Sequence, residues 1–415
     1  MSGLSFAFVL FKYFPHGGLQ RDFCKFAREA LARGHRVTAY APDFSALDAE
    51  LCATRGFEAI AVPRSGFSNH RRDRSFSQNV QRLVKSRLDP TAEARSADRS
   101  VDLILGFNKM RGLDAYYAAD SCYVAKVAEQ RSRLYRLLPR YRTYRSLERA
   151  VFARGRRAQV LAISKRELAR YRRLHGTEGR RTLLLPPGIE PDRIAAGRTA
   201  EQHARLEAAG RDALGLAPTE RLLLFLGSGF RKKGLDRALR AFAALPDAVR
   251  ETTRLLVAGA DNGAPFQRLA RRLGVYDRVI WSTSGRDDVP ACLAATDGLI
   301  LPAYDENTGT VILEAMLGGV PVLVTENCGY AFYVDQHETG LVCPEPFEQT
   351  QLDALTLRLL TDPARERWRA NGRAQAEQPI WSGLATAVVD ELERLVRDSE
   401  RERDRVAHPV QGAAR

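Results

Sequence analysis

Asp305-Glu306-Asn307-Thr308-Gly309-Thr310-Val311-Ile312-Leu313-Glu314-Ala315-Met316-Leu317-Gly318-Gly319-Val320-Pro321-Val322 sets two glutamates seven residues apart around a glycine. The apolar run Gly298-Leu299-Ile300-Leu301-Pro302 before it reads as a buried strand ending at Pro302. Glu306 then falls in the loop after that strand. Thr308 or Thr310 is placed to cap a helix, and Glu314 lies more than one turn inside it. At about 1.5 Å of rise per residue, the helix spaces the two carboxylates along an elongated ligand. The amides of Gly309 and Thr310 lie between them, and a helix N-terminus attracts phosphate. The layout suits a polyhydroxylated anion, with hydroxyls at each carboxylate and a diphosphate at the amides. Taken alone, the pair also reads as two surface glutamates around a helix start.

Upstream, Leu222-Leu223-Leu224-Phe225-Leu226-Gly227-Ser228-Gly229-Phe230-Arg231-Lys232-Lys233-Gly234 reads as a strand and a loop with three consecutive cations, followed by a helix from Leu235 to Leu245. Cations at the carboxyl end of a parallel strand lie where α/β sheets bind ligands. Arg231, Lys232 and Lys233 would neutralise a diphosphate there and stabilise it as a leaving group; a solvated basic turn is the plainer alternative. At the amino terminus, the apolar run Phe6 to Phe11 precedes Gly17-Gly18. Phe23, Phe26, Ala27, Ala30 and Leu31 follow at helical spacing, before a second strand at Val37 to Tyr40. This is a βαβ unit with a backbone free to approach a ligand. It does not fit Gly-x-Gly-x-x-Gly, so dinucleotide binding is not supported.

The alternation continues. Strands are expected at Ala59 to Val62, Leu103 to Gly106 and Val160 to Ile163. Beyond the breaker Pro186-Pro187-Gly188 they are expected at Leu222 to Leu226, Arg254 to Gly259, Val279 to Trp281, Gly298 to Leu301 and Val320 to Thr325. Such alternation implies an α/β protein of two similar parallel-sheet domains with a cleft between them. The expected limits are 1–187 for the N-terminal domain and 188–380 for the second. A helix over 381–397 has Leu384, Val388, Val389, Leu392 and Val396 on one side, and 398–415 reads as a frayed tail.

The 415 residues suffice for two domains, and an apolar share of 45% suffices for packed cores. The six cysteines show no Cys-x-x-Cys pair and no metal spacing. The first apolar run is too short for a signal peptide and no stretch approaches a transmembrane helix, so a cytosolic protein with at most peripheral membrane contact is expected. The net charge of +14 is uneven: Lys126 to Arg157 holds eleven Lys or Arg against two Glu, interleaved with leucines and tyrosines. Arg133, Tyr135, Arg136, Arg140, Tyr141, Arg142 and Arg145 are the candidates for contact with an anionic membrane. A solvated helix pair whose apolar residues face the core fits the same pattern. Nucleic acid does not, because no helix-turn-helix, zinc or RNA-binding signature accompanies the charge.

The chain resembles the retaining glycosyltransferases of the GT-B fold that carry a Glu-x7-Glu signature (family 4 type), and within them the lipopolysaccharide core glucosyltransferase I group. The likeness rests on Lys12-Tyr13-Phe14-Pro15 with Gly17 through Asp22, on Gly106-Phe107-Asn108-Lys109-Met110 with Gly112-Leu113-Asp114, and on Leu185 through Ile189 with Pro191-Asp192-Arg193. It continues through Arg231 to Gly234, Ser284-Gly285-Arg286, Glu306 to Pro321 and Cys328-Gly329-Tyr330. The resemblance implies two Rossmann-like domains, the first for the acceptor and the second for a nucleotide sugar, with the last helix crossing back to the first. It implies transfer of a hexose, glucose in that group, from a UDP-sugar to a heptose of a lipid-anchored, phosphorylated core oligosaccharide. The place would be the cytoplasmic face of the inner membrane.

Carried over residue by residue, Glu314 would bind ribose hydroxyls and Glu306 the donor sugar. Lys233, with Lys232 or Arg231, would stabilise the departing diphosphate. Gly17 and Gly18 would let their loop close on the donor, Arg193 would contact it, and Gly309 and Thr310 would hold phosphate. Asp22 would orient the acceptor, with Lys109 and Asp114 on the acceptor side. One departure is Ser228, where much of the broad family has an arginine directly after the glycine; Arg231 or Lys232 would have to substitute. No cofactor and no metal is expected, since no Asp-x-Asp pair is present to hold an ion against a diphosphate. Glu306 and Glu314 sit too far apart along the donor to act as a double-displacement pair, so departure and attack on one face are expected. Two other readings remain: a same-fold transferase for another glycolipid or an exopolysaccharide carrier, and a non-catalytic, basic membrane-binding module.

Overall fold

The computed structural model describes residues 3–14, 18–88, 101–189, 200–282 and 289–407. The chain forms two compact units, Met1–Gly188 with Gly383–Arg415, and Ile189–Ser382. Seven strands build the first: β1 Ser5–Val9, β2 Arg36–Ala41, β3 Phe57–Ala61, β4 Leu103–Gly106, β5 Ala115–Ala118, β6 Gln159–Ala162 and β7 Thr182–Leu184. They pair in parallel in the order β3-β2-β1-β4-β5-β6-β7. β1 shows why its sequence is apolar throughout. Phe6 and Phe8 join one core cluster and Ala7 and Val9 another, so both faces are covered.

Helices Gly18–Ala32 and Leu384–Ala407 cover the face of Phe6 and Phe8. Leu384, Val388, Val389, Leu392 and Val396 are at most 5% exposed. Each contributes roughly 1.5–3 kcal/mol by leaving water, which holds this distant segment in the first unit. The helix runs on through Ala407, past the fraying expected at 398. Ion pairs one turn apart, Arg394 with Asp398 and Arg397 with Glu393, support the helix up to the expected point of fraying. Residues 408–415 lie outside the described residues.

The second unit has six parallel strands: β8 Arg221–Leu226, β9 Thr253–Ala258, β10 Val279–Ser282, β11 Gly298–Leu301, β12 Val322–Thr325 and β13 Gly340–Cys343. Their order is β10-β9-β8-β11-β12-β13. Each sheet reverses its direction of growth once, between β1 and β4 and between β8 and β11. Such switch points open a crevice beyond the carboxyl ends of the strands. β5, β7 and β13 were not expected from the sequence. Each is three or four residues long, and β7 and β13 are edge strands, so their periodic signal is weak. Among the described residues no helix is long and apolar enough to cross a membrane.

Candidate active site

The loops that follow β8 and β11 meet at the switch point of the second sheet. Tyr304 N donates to Lys232 O at 2.9 Å. Lys233 Nζ donates to Glu306 Oε2 at 2.7 Å, joining residues 73 apart in sequence. The two side chains are 16% and 14% exposed. Gly227 (φ 131°) makes room for this: a Cβ there would come within 2.8 Å of Lys233 Cε. Burial pushes the Glu306 carboxyl up. Lys233, then Lys232, together with the Lys233 and Asn307 hydrogen bonds, more than reverse this and hold it below the usual carboxylate range. The Glu306 backbone is fixed by Gly329 N, which donates to its carbonyl at 2.8 Å, and by a bridge to Cys328.

Helix Thr310–Leu317 starts beside this pair. Its N-cap is Gly309 in the left-handed region at φ 83°, and no side chain caps it. Neither Thr308 nor Thr310 serves as the cap, contrary to the sequence expectation. The chain turns sharply between the Glu306 bridge and the helix, and glycine adopts that backbone without a Cβ penalty. The first-turn amides of Thr310 and Val311 have no intrahelical acceptor, which leaves them able to donate to an anion. Glu314 lies one turn further in and is 4% exposed. Arg231 and Lys232 are exposed on the rim. Lys233, Glu306, Gly309 and Thr310 are thus brought together beyond the carboxyl ends of β8 and β11, with Glu314 on the same helix as Thr310.

Two residues that hold this arrangement were not singled out in the sequence. The Arg237 guanidinium lies 3.6 Å from the Tyr304 ring centroid and 3.5 Å from that of Phe347. It also donates to the carbonyls of Pro302 and Ala303, at 3.3 and 3.4 Å, and so pins the segment leading to Glu306. The signal was an arginine among Leu235, Ala238, Leu239, Ala241 and Phe242, the buried face of its helix. Asp261 Oδ2 accepts from Phe230 N at 2.8 Å and fixes the cation loop. Its signal was a carboxylate just past the carboxyl end of β9.

In the first unit, Gly18 opens helix Gly18–Ala32, and Asp22 on that helix accepts from Tyr117 Oη at 2.7 Å. Gly17 and Arg193 lie outside the described residues. Lys109 follows β4 but turns inward, donating to Glu148 Oε2 and to Ser121 O, both at 2.7 Å. Glu148 is fully buried and accepts from Tyr123 N and Val124 N at the start of helix Tyr123–Gln130. Burial pushes its carboxyl up; Lys109, His175 and the Tyr123 amide outweigh that and bring it down to about 2. Asp114 accepts from Ile104 N at 2.9 Å, beside the amino end of β4. That is the end of a parallel sheet opposite to the one that binds ligands. The structure therefore turns neither Lys109 nor Asp114 toward an acceptor: one is the partner of a buried carboxylate, the other a tie between strand ends.

Residues 16–193 match the family model described as Glycosyltransferase Family 4, and residues 208–375 match that of glycosyl transferases group 1. The chain is 41% identical over 378 residues to the lipopolysaccharide glucosyltransferase WaaG of Escherichia coli strain K12, over 91% of this chain and 95% of WaaG. The chain belongs to the family 4 glycosyltransferases. A crystal structure of WaaG, a glycosyltransferase involved in lipopolysaccharide biosynthesis, matches at TM-score 0.79 and 39% identity, over 93% of this chain and 98% of that one. The Anabaena Alr3699/HepE structure in complex with UDP and glucose shares the fold at TM-score 0.66 and 18% identity, over 94% and 100% of the chains. The two parallel-sheet units are those of the GT-B architecture.

The basic stretch of this glycosyltransferase divides into two kinds of surface. Around the short 3-10 turn Arg133–Leu137, Leu134, Leu137 and Leu138 are 73%, 65% and 46% exposed, flanked by exposed Arg133, Arg136 and Arg140. Tyr135 is half-buried beneath Arg131. Tyr141 is not part of this surface: it is 7% exposed and packs near Tyr123, which corrects its place among the membrane candidates. Arg142 and Arg145 project from helix Pro139–Phe152, away from its buried side.

Proposed function

We propose that this glycosyltransferase moves glucose from UDP-glucose onto a heptose of the lipopolysaccharide inner core, with retention at the anomeric carbon. The observation that carries the reading is the Lys233–Glu306 pair beside a helix N-terminus without a side-chain cap, in a chain 41% identical to a lipopolysaccharide glucosyltransferase. The donor diphosphate lies against the Gly309 and Thr310 amides. Lys233 shares its protons between Glu306 and the leaving oxygen, while Arg231 and Lys232 add charge from the rim. Glu306, ionised, accepts from sugar hydroxyls, and Glu314 accepts from the ribose. The bond from the anomeric carbon to the diphosphate breaks as the acceptor oxygen bonds on the same face, and the acceptor proton passes to the departing phosphate. Gly17, Gly18 and Arg193 complete the donor site, and Asp22 orients the acceptor. Three consecutive cations supply the charge that a divalent ion would otherwise bring, so the reaction runs without a metal.

The acceptor is a lipid-anchored, phosphorylated oligosaccharide. The exposed leucines at 134, 137 and 138 among arginines suit the anionic cytoplasmic face of the inner membrane. Turnover with a panel of UDP-sugars and deacylated heptose-containing core tests the reading. Transfer from UDP-glucose, undiminished by excess chelator, is expected. Transfer from a different donor removes glucose from the proposal, and loss in chelator removes the metal-free step. Glu314→Ala is expected to weaken UDP binding by about 10–100-fold, since it removes charge-assisted hydrogen bonds. Calorimetry with UDP measures this, and an unchanged affinity would remove the ribose role.

A further inference from the structure

Helix Pro139–Phe152 turns Leu147, Val151 and Phe152 to the core. Its other side carries Arg142, Arg145 and Arg149, whose spacings of three and four put them on one face. Arg111, from the loop after β4, donates to Ser146 Oγ at 3.2 Å and forms a second wall. Arg156, just past the helix end, contributes the remaining guanidinium. Together they line an open pocket of about 450 Å³ with no aspartate or glutamate among the described residues of its wall.

None of these five arginines forms an ion pair with a carboxylate among the described residues. Other arginines of the same unit are matched: Arg33 with Glu29, Asp390 and Glu393, Arg170 with Glu129 and Glu167, and Arg181 with Glu178. Convergent, unneutralised like charges repel one another, and the folded chain gains nothing from bringing them together. An anion relieves that repulsion, and the planar guanidinium fork matches phosphate oxygens in pairs.

We infer that this pocket is a second anion site, which binds phosphoester groups. It is built wholly from the first unit, whereas the donor diphosphate site is built from the loops after β8 and β11. It deepens the reading of a phosphorylated acceptor at an anionic membrane and rests on that reading for its two sources, while its residues are separate from those of the donor site. The phosphoester chemistry is common to phospholipid headgroups and to phosphates carried on a saccharide.

The test is calorimetric titration of the full chain with inorganic pyrophosphate at low ionic strength, with UDP saturating so that the donor site is filled. Wild type is expected to bind, and Arg145→Gln/Arg149→Gln to bind about tenfold more weakly. Arg55→Gln/Arg180→Gln removes the same charge from exposed positions of the same unit and is expected to stay within about twofold of wild type. No binding by wild type, or equal weakening in both double variants, overturns the inference. Co-sedimentation with mixed phosphatidylcholine–phosphatidylglycerol vesicles then separates the sources. Weaker sedimentation of the Arg145→Gln/Arg149→Gln variant, with pyrophosphate releasing only wild type, supports the site as one for lipid phosphodiesters. Equal sedimentation of the two with the calorimetric difference intact supports a phosphate carried on a saccharide. Neither arm depends on turnover, so a failed transfer assay would count against the transferase reading alone.

Discussion

Lys233→Ala is expected to lower kcat by on the order of 10³ while UDP affinity stays within about tenfold of wild type. Two effects act together. The leaving diphosphate loses the cation held beside the helix start by a 2.7 Å contact with Glu306. Glu306, which owes its low proton affinity first to Lys233 against the opposing effect of burial, then loses the largest of the effects that hold its carboxyl down. Arg231 and Lys232 remain on the exposed rim and still attract UDP, which is why binding survives better than turnover. Single-turnover rates and UDP calorimetry on the same variant separate the two. A loss of affinity with unchanged kcat would show that Lys233 holds the donor without stabilising its departure.

Lys109→Met is expected to destabilise the first unit by about 3–5 kcal/mol, because it leaves a buried carboxylate without its cation. Glu148 in the folded protein holds its proton only below about 2, against an ordinary value of 4.5. The unfolded chain therefore takes up a proton that the folded chain does not between those values. The contribution of this carboxylate is complete above about pH 4.5 and is lost as the pH falls toward 2. In the Lys109→Met variant only the His175 and backbone hydrogen bonds still oppose burial, so the carboxyl is held down less and the stability lost on acidification is expected to shrink. Denaturant unfolding of both proteins across pH 3 to pH 7 compares the two losses. Unchanged stability accompanied by a raised acceptor KM would return Lys109 to the acceptor site.

The donor site was legible in the sequence as two strand ends, one followed by cations and one by paired glutamates. Their contact was not, because Lys233 and Glu306 meet only when β8 and β11 become neighbours across the switch point. Glu148 was illegible for a related reason. Inside a stretch with eleven cations it reads as one of two surface acids, and the packing of helix Pro139–Phe152 against helix Tyr123–Gln130 buries it. Tyr141 shares that helix and the same misreading. The cap of helix Thr310–Leu317 was assigned to a threonine by propensity, whereas the turn out of the Glu306 bridge demands the left-handed backbone of Gly309. Charged composition suggested fraying after Asp398, but helix Leu384–Ala407 runs through that point, where Asp398 pairs with Arg394 one turn back.

Retention at a site built around Lys233 and Glu306 is the central feature of the proposed reaction. The anomeric configuration of the product from UDP-glucose and deacylated heptose-containing core, read from its proton NMR coupling, tests this most directly. An α-linked glucose is expected, since the donor is α-linked and departure and attack share one face. A β-linked glucose would contradict the account, because it requires attack from the face opposite the diphosphate.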